Sequence, residues 1–249
     1  EPFPVRLFAG LFKPKYHIPG CDVAGVVEAV GGEVTRFRPG DEVFGDATNS
    51  GWGAFAEYVA INEATVAAKP EGVSFEEAAA LPTAGVTALQ GLRDKGALQP
   101  GEKVLINGAS GGVGTFAVQL AKELGAEVTG VCSGPKVEMV RSIGADRVID
   151  YTREDFADNG VVYDLILAAN GSRKLADYRR VLTPRGRYVQ TGGSGNQLME
   201  AMVLGPMLSR KNGQQMGNIL MKPNSGDLEL LGELLAARKV VPVIDRRYP

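Results

Sequence analysis

The 249-residue chain is 44% hydrophobic and 22% charged with a formal net charge of −2. It is long enough to bury the core of one large or two small domains. Charges of both signs are interspersed, which excludes the basic footprint of a nucleic-acid or anionic-membrane binder. There is no apolar run of about 18 residues and no signal-peptide pattern at the start, and Cys21 and Cys132 are too isolated for a disulfide framework. A soluble cytoplasmic protein is expected. One histidine, His17, and two cysteines exclude a structural four-cysteine zinc site within the chain. His17 reads as a loop residue, and the protein is expected to work without a metal.

In chain order, residues 20 to 60 read as short strands. Val23 to Val30 is β-rich, Pro39-Gly40-Asp41 is a turn, and Glu42-Val43-Phe44 is a second strand. Ala54 to Ile61, with Phe55 and Tyr58, reads as a half-buried strand. Such spacing suggests a small all-β barrel or sandwich. Ser74 opens a helix with Glu77 in a capping-box position, Leu81-Pro82 interrupts it, and Ala84 to Leu92 continues helically.

The stretch from 104 to 136 carries the most chemistry. Val104-Leu105-Ile106 is an apolar strand and Asn107-Gly108-Ala109-Ser110-Gly111-Gly112-Val113-Gly114 a glycine turn. Thr115 to Leu124 has a helix-period stripe, followed by Gly125 as its terminating glycine. Glu127 to Cys132 is a second strand. A glycine turn between strand and helix lets the backbone approach a pyrophosphate, whose charge then meets the unpaired N–H groups of the helix N-terminus. An NAD site usually has an acidic residue about 20 residues beyond the glycines to hold the ribose 2′-hydroxyl. This chain has Cys132-Ser133-Gly134-Pro135-Lys136 there. A hydroxyl and an ammonium suit a 2′-phosphate, so NADP(H) is expected, with Ser133 and Lys136 as its ligands and Arg141 a weaker candidate.

The alternation continues with a helix over Lys136 to Ile143, strands at Arg147 to Ile149 and Leu165 to Ala169, and a helix over Lys174 to Leu182. Arg187 to Thr191 is a strand ending in Gly192-Gly193. Leu198 to Ser209 reads as a helix and Gln214 to Met221 as a further strand. Strands separated by helices imply a parallel sheet with its ligands at the strand carboxyl ends. That places the glycine turn, Ser133, Asn170-Gly171 and Gly192-Gly193 around one crevice.

These motifs identify a family. Pro19-Gly20-Cys21-Asp22-Val23-Ala24-Gly25-Val26-Val27, Pro39-Gly40-Asp41-Glu42-Val43 and Gly53-Ala54-Phe55-Ala56-Glu57-Tyr58-Val59 resemble the GroES-like domain of medium-chain dehydrogenase/reductases. Ala79-Ala80-Leu81-Pro82, Gly85-Val86-Thr87-Ala88, the glycine turn and Leu182-Thr183-Pro184-Arg185-Gly186-Arg187-Tyr188-Val189 resemble its quinone oxidoreductase branch. The resemblance implies an α/β fold, a GroES-like domain over residues 1–78, a Rossmann domain over 79–222 and a return segment over 223–249. Family members extend beyond both ends of this chain, so the GroES-like domain is expected to be incomplete. Zinc-dependent members carry His-Glu where Cys21-Asp22 stand here, and a four-cysteine lobe absent from this chain.

The implied activity is NADPH-dependent reduction of a quinone or of the carbon–carbon double bond of an activated enone. Matching positions put the pyrophosphate on the turn, at Ser110, Gly111, Gly112, Val113 and Gly114. They put Ser133, Lys136 and Tyr151 around the 2′-phosphate and adenosine, and Asn170, Gly192 and Gly193 beside the nicotinamide with Thr87 nearby. No proton donor is assigned, Tyr16 reading as a loop aromatic. The glycine spacing also fits short-chain dehydrogenases, but no tyrosine here has Lys four residues later, as that chemistry requires. An NADPH-binding sensor or scaffold without turnover, or an inactive fragment, is the remaining alternative. Gln214 to Met221 would be an exposed sheet edge, and a homodimer through it is expected.

Overall fold

The computed structural model describes residues 17–170, 173–193 and 213–248. The chain divides into two compact units, Glu1–Val86 with Lys222–Pro249, and Thr87–Met221. Tyr16, Gly171 and the helix expected over Leu198 to Ser209 lie outside the described residues.

In the first unit, strands β1 (Asp22–Val26), β2 (Glu42–Asp46) and β3 (Val66–Ala68) form an antiparallel sheet in sequential order. Beyond β3, helix α1 (Phe75–Ala79) starts at Ser74 with both halves of a capping box, the Ser74 hydroxyl accepting from the Glu77 N–H and the Glu77 carboxylate from the Ser74 N–H. Satisfying two end groups in this way contributes about 1 kcal/mol. Helix α2 (Pro82–Gln90) follows, with proline at its first position where no hydrogen bond is lost.

Ala54 to Ile61 is not a strand. Its first N–H groups turn back to the Gly20 and Pro19 carbonyls, no strand pairs with it among the described residues, and Phe55 and Tyr58 are 77% and 74% exposed. Alternating apolar residues make a strand only when a neighbour takes up the backbone groups. The third strand of the sheet is instead β3, three residues too short to show a period.

The second unit is a six-stranded parallel sheet. Its strands are β4 (Lys103–Asn107), β5 (Glu127–Cys132), β6 (Arg147–Asp150), β7 (Tyr163–Ala168), β8 (Leu182–Gln190) and β9 (Gln215–Asn218), in the spatial order β6-β5-β4-β7-β8-β9. Parallel strands covered on both faces become almost wholly apolar, and Val104, Leu105, Ile106, Leu165, Ile166 and Leu167 have no exposed surface. Helices α3 (Gly112–Glu123), α4 (Val137–Ser142) and α5 (Leu175–Arg180) lie in the intervals between strands. A π-helical turn at Gly91–Lys95 ends the segment begun by α2, and Gly91 lies against Leu167, where an added Cβ would come within 2.9 Å of Cδ1.

Several element boundaries differ from those expected: the strand over Val23 to Val30 is Asp22–Val26, the helix over Lys174 to Leu182 is Leu175–Arg180, and the strand over Gln214 to Met221 is Gln215–Asn218. The segment expected to be helical from Lys136 is preceded by a 3₁₀ turn, Gly134–Lys136, in which the Lys136 N–H donates to the Ser133 carbonyl at 2.9 Å. Strand β8 begins at Leu182 rather than Arg187. Its first residue pairs with Tyr163 across a register shift, so a break in the ladder separates the early part of the strand from the run that pairs regularly. In the return segment, helix α6 (Ser225–Ala236) is capped by the Asn224 side chain, and Gly232 lets it approach Phe44 and Pro70.

Candidate functional site

The sheet order reverses at β4. The chain proceeds outward through β5 and β6 on one side, then returns to lay β7, β8 and β9 on the other. Loops leaving β4 and β7 therefore part in opposite directions and open a crevice at the carboxyl ends, where ligands of such sheets bind.

The glycine turn fills this point. Gly108 has φ +88°, and an added Cβ would sit 2.8 Å from Asn170 Cβ. Its N–H and that of Ala109 donate to the Val131 carbonyl at 3.1 and 2.9 Å, while the Asn107 carbonyl accepts from Ala169 and Asn170. Three strand ends are thus tied to one turn. A Cβ on Gly114 would lie 2.0 Å from the Gly108 oxygen, so only glycine lets α3 start this close to β4. Gly111 precedes α3 and offers no side-chain cap. The first N–H groups of a helix lack intrahelical acceptors, and the nearest atom to a Cβ on Gly111 would be 3.5 Å away. This is a backbone cradle with donors and room, and it fits a pyrophosphate.

Beside the turn is a cleft of about 370 Å³ whose walls include Gly108, Ser110, Ser133, Tyr151 and Asn170. Four of the twelve expected cofactor residues (Ser110, Ser133, Tyr151 and Asn170) therefore meet in one space. Asn170, expected beside the nicotinamide, lines the same wall system as Ser133 and Tyr151. Lys136 is exposed on the 3₁₀ turn that Ser133 opens, and the Ser133 hydroxyl makes no cap bond there. Gly112 and Val113 form the first turn of α3. Gly192 follows β8, packed so that a Cβ would be 2.5 Å from the Ala169 oxygen, with Gly193 next at φ +119°. Thr87 is buried in α2.

Two site features had no sequence signal. Asp150, at the end of β6 and level with Cys132 in register, accepts from the Thr152 N–H and hydroxyl at 3.0 and 2.8 Å. The Thr152 bonds lead in holding its carboxyl below the ordinary range. The N–H of the next residue, Tyr151, donates to the Cys132 carbonyl at 3.1 Å and ties this strand end to the start of the loop that carries Ser133 and Lys136. Burial, with the Asp150 charge second, pushes the Cys132 thiol up, so it stays protonated and unreactive. The other feature is the pair Phe156 and Arg173, which completes the cleft wall.

Comparison with known proteins agrees with this geometry. Residues 5–71 match the alcohol dehydrogenase GroES-like domain family and residues 143–249 the zinc-binding dehydrogenase family. The chain is 35% identical over 241 residues to a chloroplast envelope quinone oxidoreductase homolog of Arabidopsis thaliana, spanning 93% of this chain and 72% of that protein. The chain belongs to the medium-chain dehydrogenase/reductase superfamily, in its quinone oxidoreductase-like branch. An NADPH-dependent alkenal/one oxidoreductase of the same plant is 33% identical, and the alignment spans 62% of its length. Among solved structures, the quinone oxidoreductase of Coxiella burnetii superposes with a TM-score of 0.82 at 28% identity, over 96% of this chain and 73% of that one. The two-unit architecture of this medium-chain dehydrogenase/reductase, a small antiparallel sheet and a doubly wound parallel sheet, is that of its superfamily. One matched family is described by zinc, yet among the described residues no three His, Cys, Asp or Glu side chains cluster as metal ligands would.

Proposed function

We propose that the chain is a zinc-independent, NADPH-dependent oxidoreductase that reduces a quinone or the activated double bond of an enone. The observation that carries this reading is the backbone cradle of Gly108, Gly111 and Gly114 at the sheet's switch point. The substrate class follows the relatives named as quinone and alkenal/one oxidoreductases. When bound, the reduced nicotinamide supplies a hydride, and the protein's part is to hold, orient and shield.

In this reading the N–H groups at Gly112, Val113 and Gly114, with the Ser110 side of the turn, take the pyrophosphate. Ser133 and Lys136 take the 2′-phosphate, Tyr151 covers the adenosine with Asn170 on a wall of the same cleft rather than beside the nicotinamide, and Gly192 and Gly193 lie toward the nicotinamide with Thr87. Cys21 and Asp22 are too few to hold zinc, and among the described residues no third His, Cys, Asp or Glu side chain joins them as a ligand. Both cysteines are free, which suits a reducing cytoplasm. Among the described residues no helix is long and apolar enough to cross a membrane.

Fluorescence titration should show saturable NADPH binding, with NADH weaker. The double variant Ser133→Ala with Lys136→Ala should lose about 10- to 100-fold in NADPH affinity, the value of one or two charge-assisted bonds, and little in NADH affinity. Equal affinity of the unaltered chain for both cofactors would sink the 2′-phosphate assignment. The second half of the proposal concerns assembly. Among the described residues strand β9 pairs with β8 alone and forms a sheet edge, and two such edges joined by a twofold axis would make a homodimer. Sedimentation at micromolar concentration should give twice the chain mass; a monomer would refute the dimer.

A further inference from the structure

One wall of the cleft is explained neither by the glycine turn nor by the Ser133 loop. Arg173 lines it, three residues beyond Asn170. Its guanidinium lies over the Phe156 ring, 5.4 Å from the centroid, and pairs with the Asp155 carboxylate at 2.6 Å. Phe156 is 3% exposed and stacks on Tyr178, with centroids 5.6 Å apart and planes at 22°. The Tyr178 hydroxyl accepts from Asn107 Nδ2 at 2.6 Å, at the very end of β4. Packed rings therefore support the guanidinium from behind, the Asp155 carboxylate pairs with one of its nitrogens, and 35% of the side chain remains exposed.

We propose that Arg173 is the stacking wall of the adenosine site, carrying the adenine ring on the face turned away from Phe156 and taking no part in reading the 2′-phosphate. This rests on the dinucleotide reading above. The sheet order supports the placement, because the loops after β5 and β7 flank the turn after β4 on either side and an adenosine lying along the cleft passes between them. A planar guanidinium stacks on an aromatic base, which an ammonium cannot do. Pairing with Asp155 already offsets the positive charge, so phosphate selection falls to the Ser133 and Lys136 loop.

The test is a set of equilibrium titrations of the full chain with 5′-AMP, 2′,5′-ADP, NADH and NADPH, for the unaltered protein, Arg173→Ala and Arg173→Lys. Both variants should bind all four ligands about tenfold more weakly, and the preference for 2′,5′-ADP over 5′-AMP should stay as in the unaltered chain. A loss confined to the 2′-phosphorylated ligands, or full rescue by lysine, would make Arg173 a phosphate ligand and overturn the proposal. Unchanged affinity in Arg173→Ala would overturn it as well. If the unaltered chain bound none of the four, the dinucleotide reading would fail and this proposal with it. Melting curves accompany each titration, and if the alanine variant proved unfolded, the lysine variant would decide the matter alone.

Discussion

Replacing Gly114 with alanine should lower the melting temperature by about 6–12 °C and remove most of the dinucleotide affinity. The added Cβ would stand 2.0 Å from the Gly108 oxygen and 2.8 Å from Ala109 Cα, both backbone atoms that no side-chain rotation can move aside. Either α3 or the turn must retreat. Helix α3 cannot do so cheaply, because Phe116, Ala117, Val118 and Leu120 are packed with at most 3% exposure. Overpacking of this kind costs about 3 kcal/mol, the upper end for an inserted methyl group, and each kcal/mol is worth about 2–4 °C at this chain length. Gly111→Ala is the matched control. Its Cβ meets nothing nearer than 3.5 Å, so stability should hold while the methyl group intrudes where the pyrophosphate approaches. Calorimetry and NADPH titration of the two variants separate packing from binding: Gly114→Ala should lose both, Gly111→Ala affinity alone. A Gly114→Ala protein with the unaltered melting temperature would mean that the helix start is not as closely set as described.

The contrast between these two glycines shows what was legible in the sequence. The turn, its flanking strands and helix, and the 3.6-residue stripe over Thr115 to Leu124 all follow from local pattern, because each element there satisfies its own rule. That Gly114 is closed in by the backbone while Gly111 is left open is a fact of distances between β4 and α3. The same limit hid Arg173. Its neighbours in the chain say nothing, and its role comes from Phe156 and Asp155, brought to it by the β6 and β7 crossovers. Asp150 has no signal in the sequence after β5, because its carboxylate stands level with Cys132 on the adjoining strand. Ala54 to Ile61 misled for the opposite reason. Its alternation is local, but a strand is a relation between two segments, and the hydrogen bonds to Gly20 and Pro19 took its backbone elsewhere.

The first unit holds the other large effect. Asp46 is completely buried, and its carboxylate accepts from the Thr48 N–H at 2.7 Å and from the Thr83 hydroxyl at 2.8 Å. Asp22 accepts the Thr83 N–H at 2.7 Å. Two carboxylates from neighbouring strands thus converge on one threonine at the start of α2. Asp46→Ala should cost about 2–3 kcal/mol, because the Thr48 and Thr83 donors lose their buried acceptor. Asp22 behaves differently. Burial raises its carboxyl above the ordinary 3.8, the Thr83 hydrogen bonds oppose this, and the Asp46 charge adds to it. A carboxyl raised by folding keeps its proton after the unfolded chain has released its own. Its contribution to stability is complete below 3.8 and is lost as pH rises through the folded value. Asp22→Asn keeps an oxygen for the Thr83 N–H and discards the charge. It should flatten the pH profile across that window and be more stable than the unaltered chain at neutral pH, where Asp46→Ala is less stable. Denaturant titrations from acid to neutral pH measure both. An Asp22→Asn protein that is weaker at neutral pH would show the ionised carboxylate to be worth more to the Thr83 contact than its burial and the Asp46 repulsion cost.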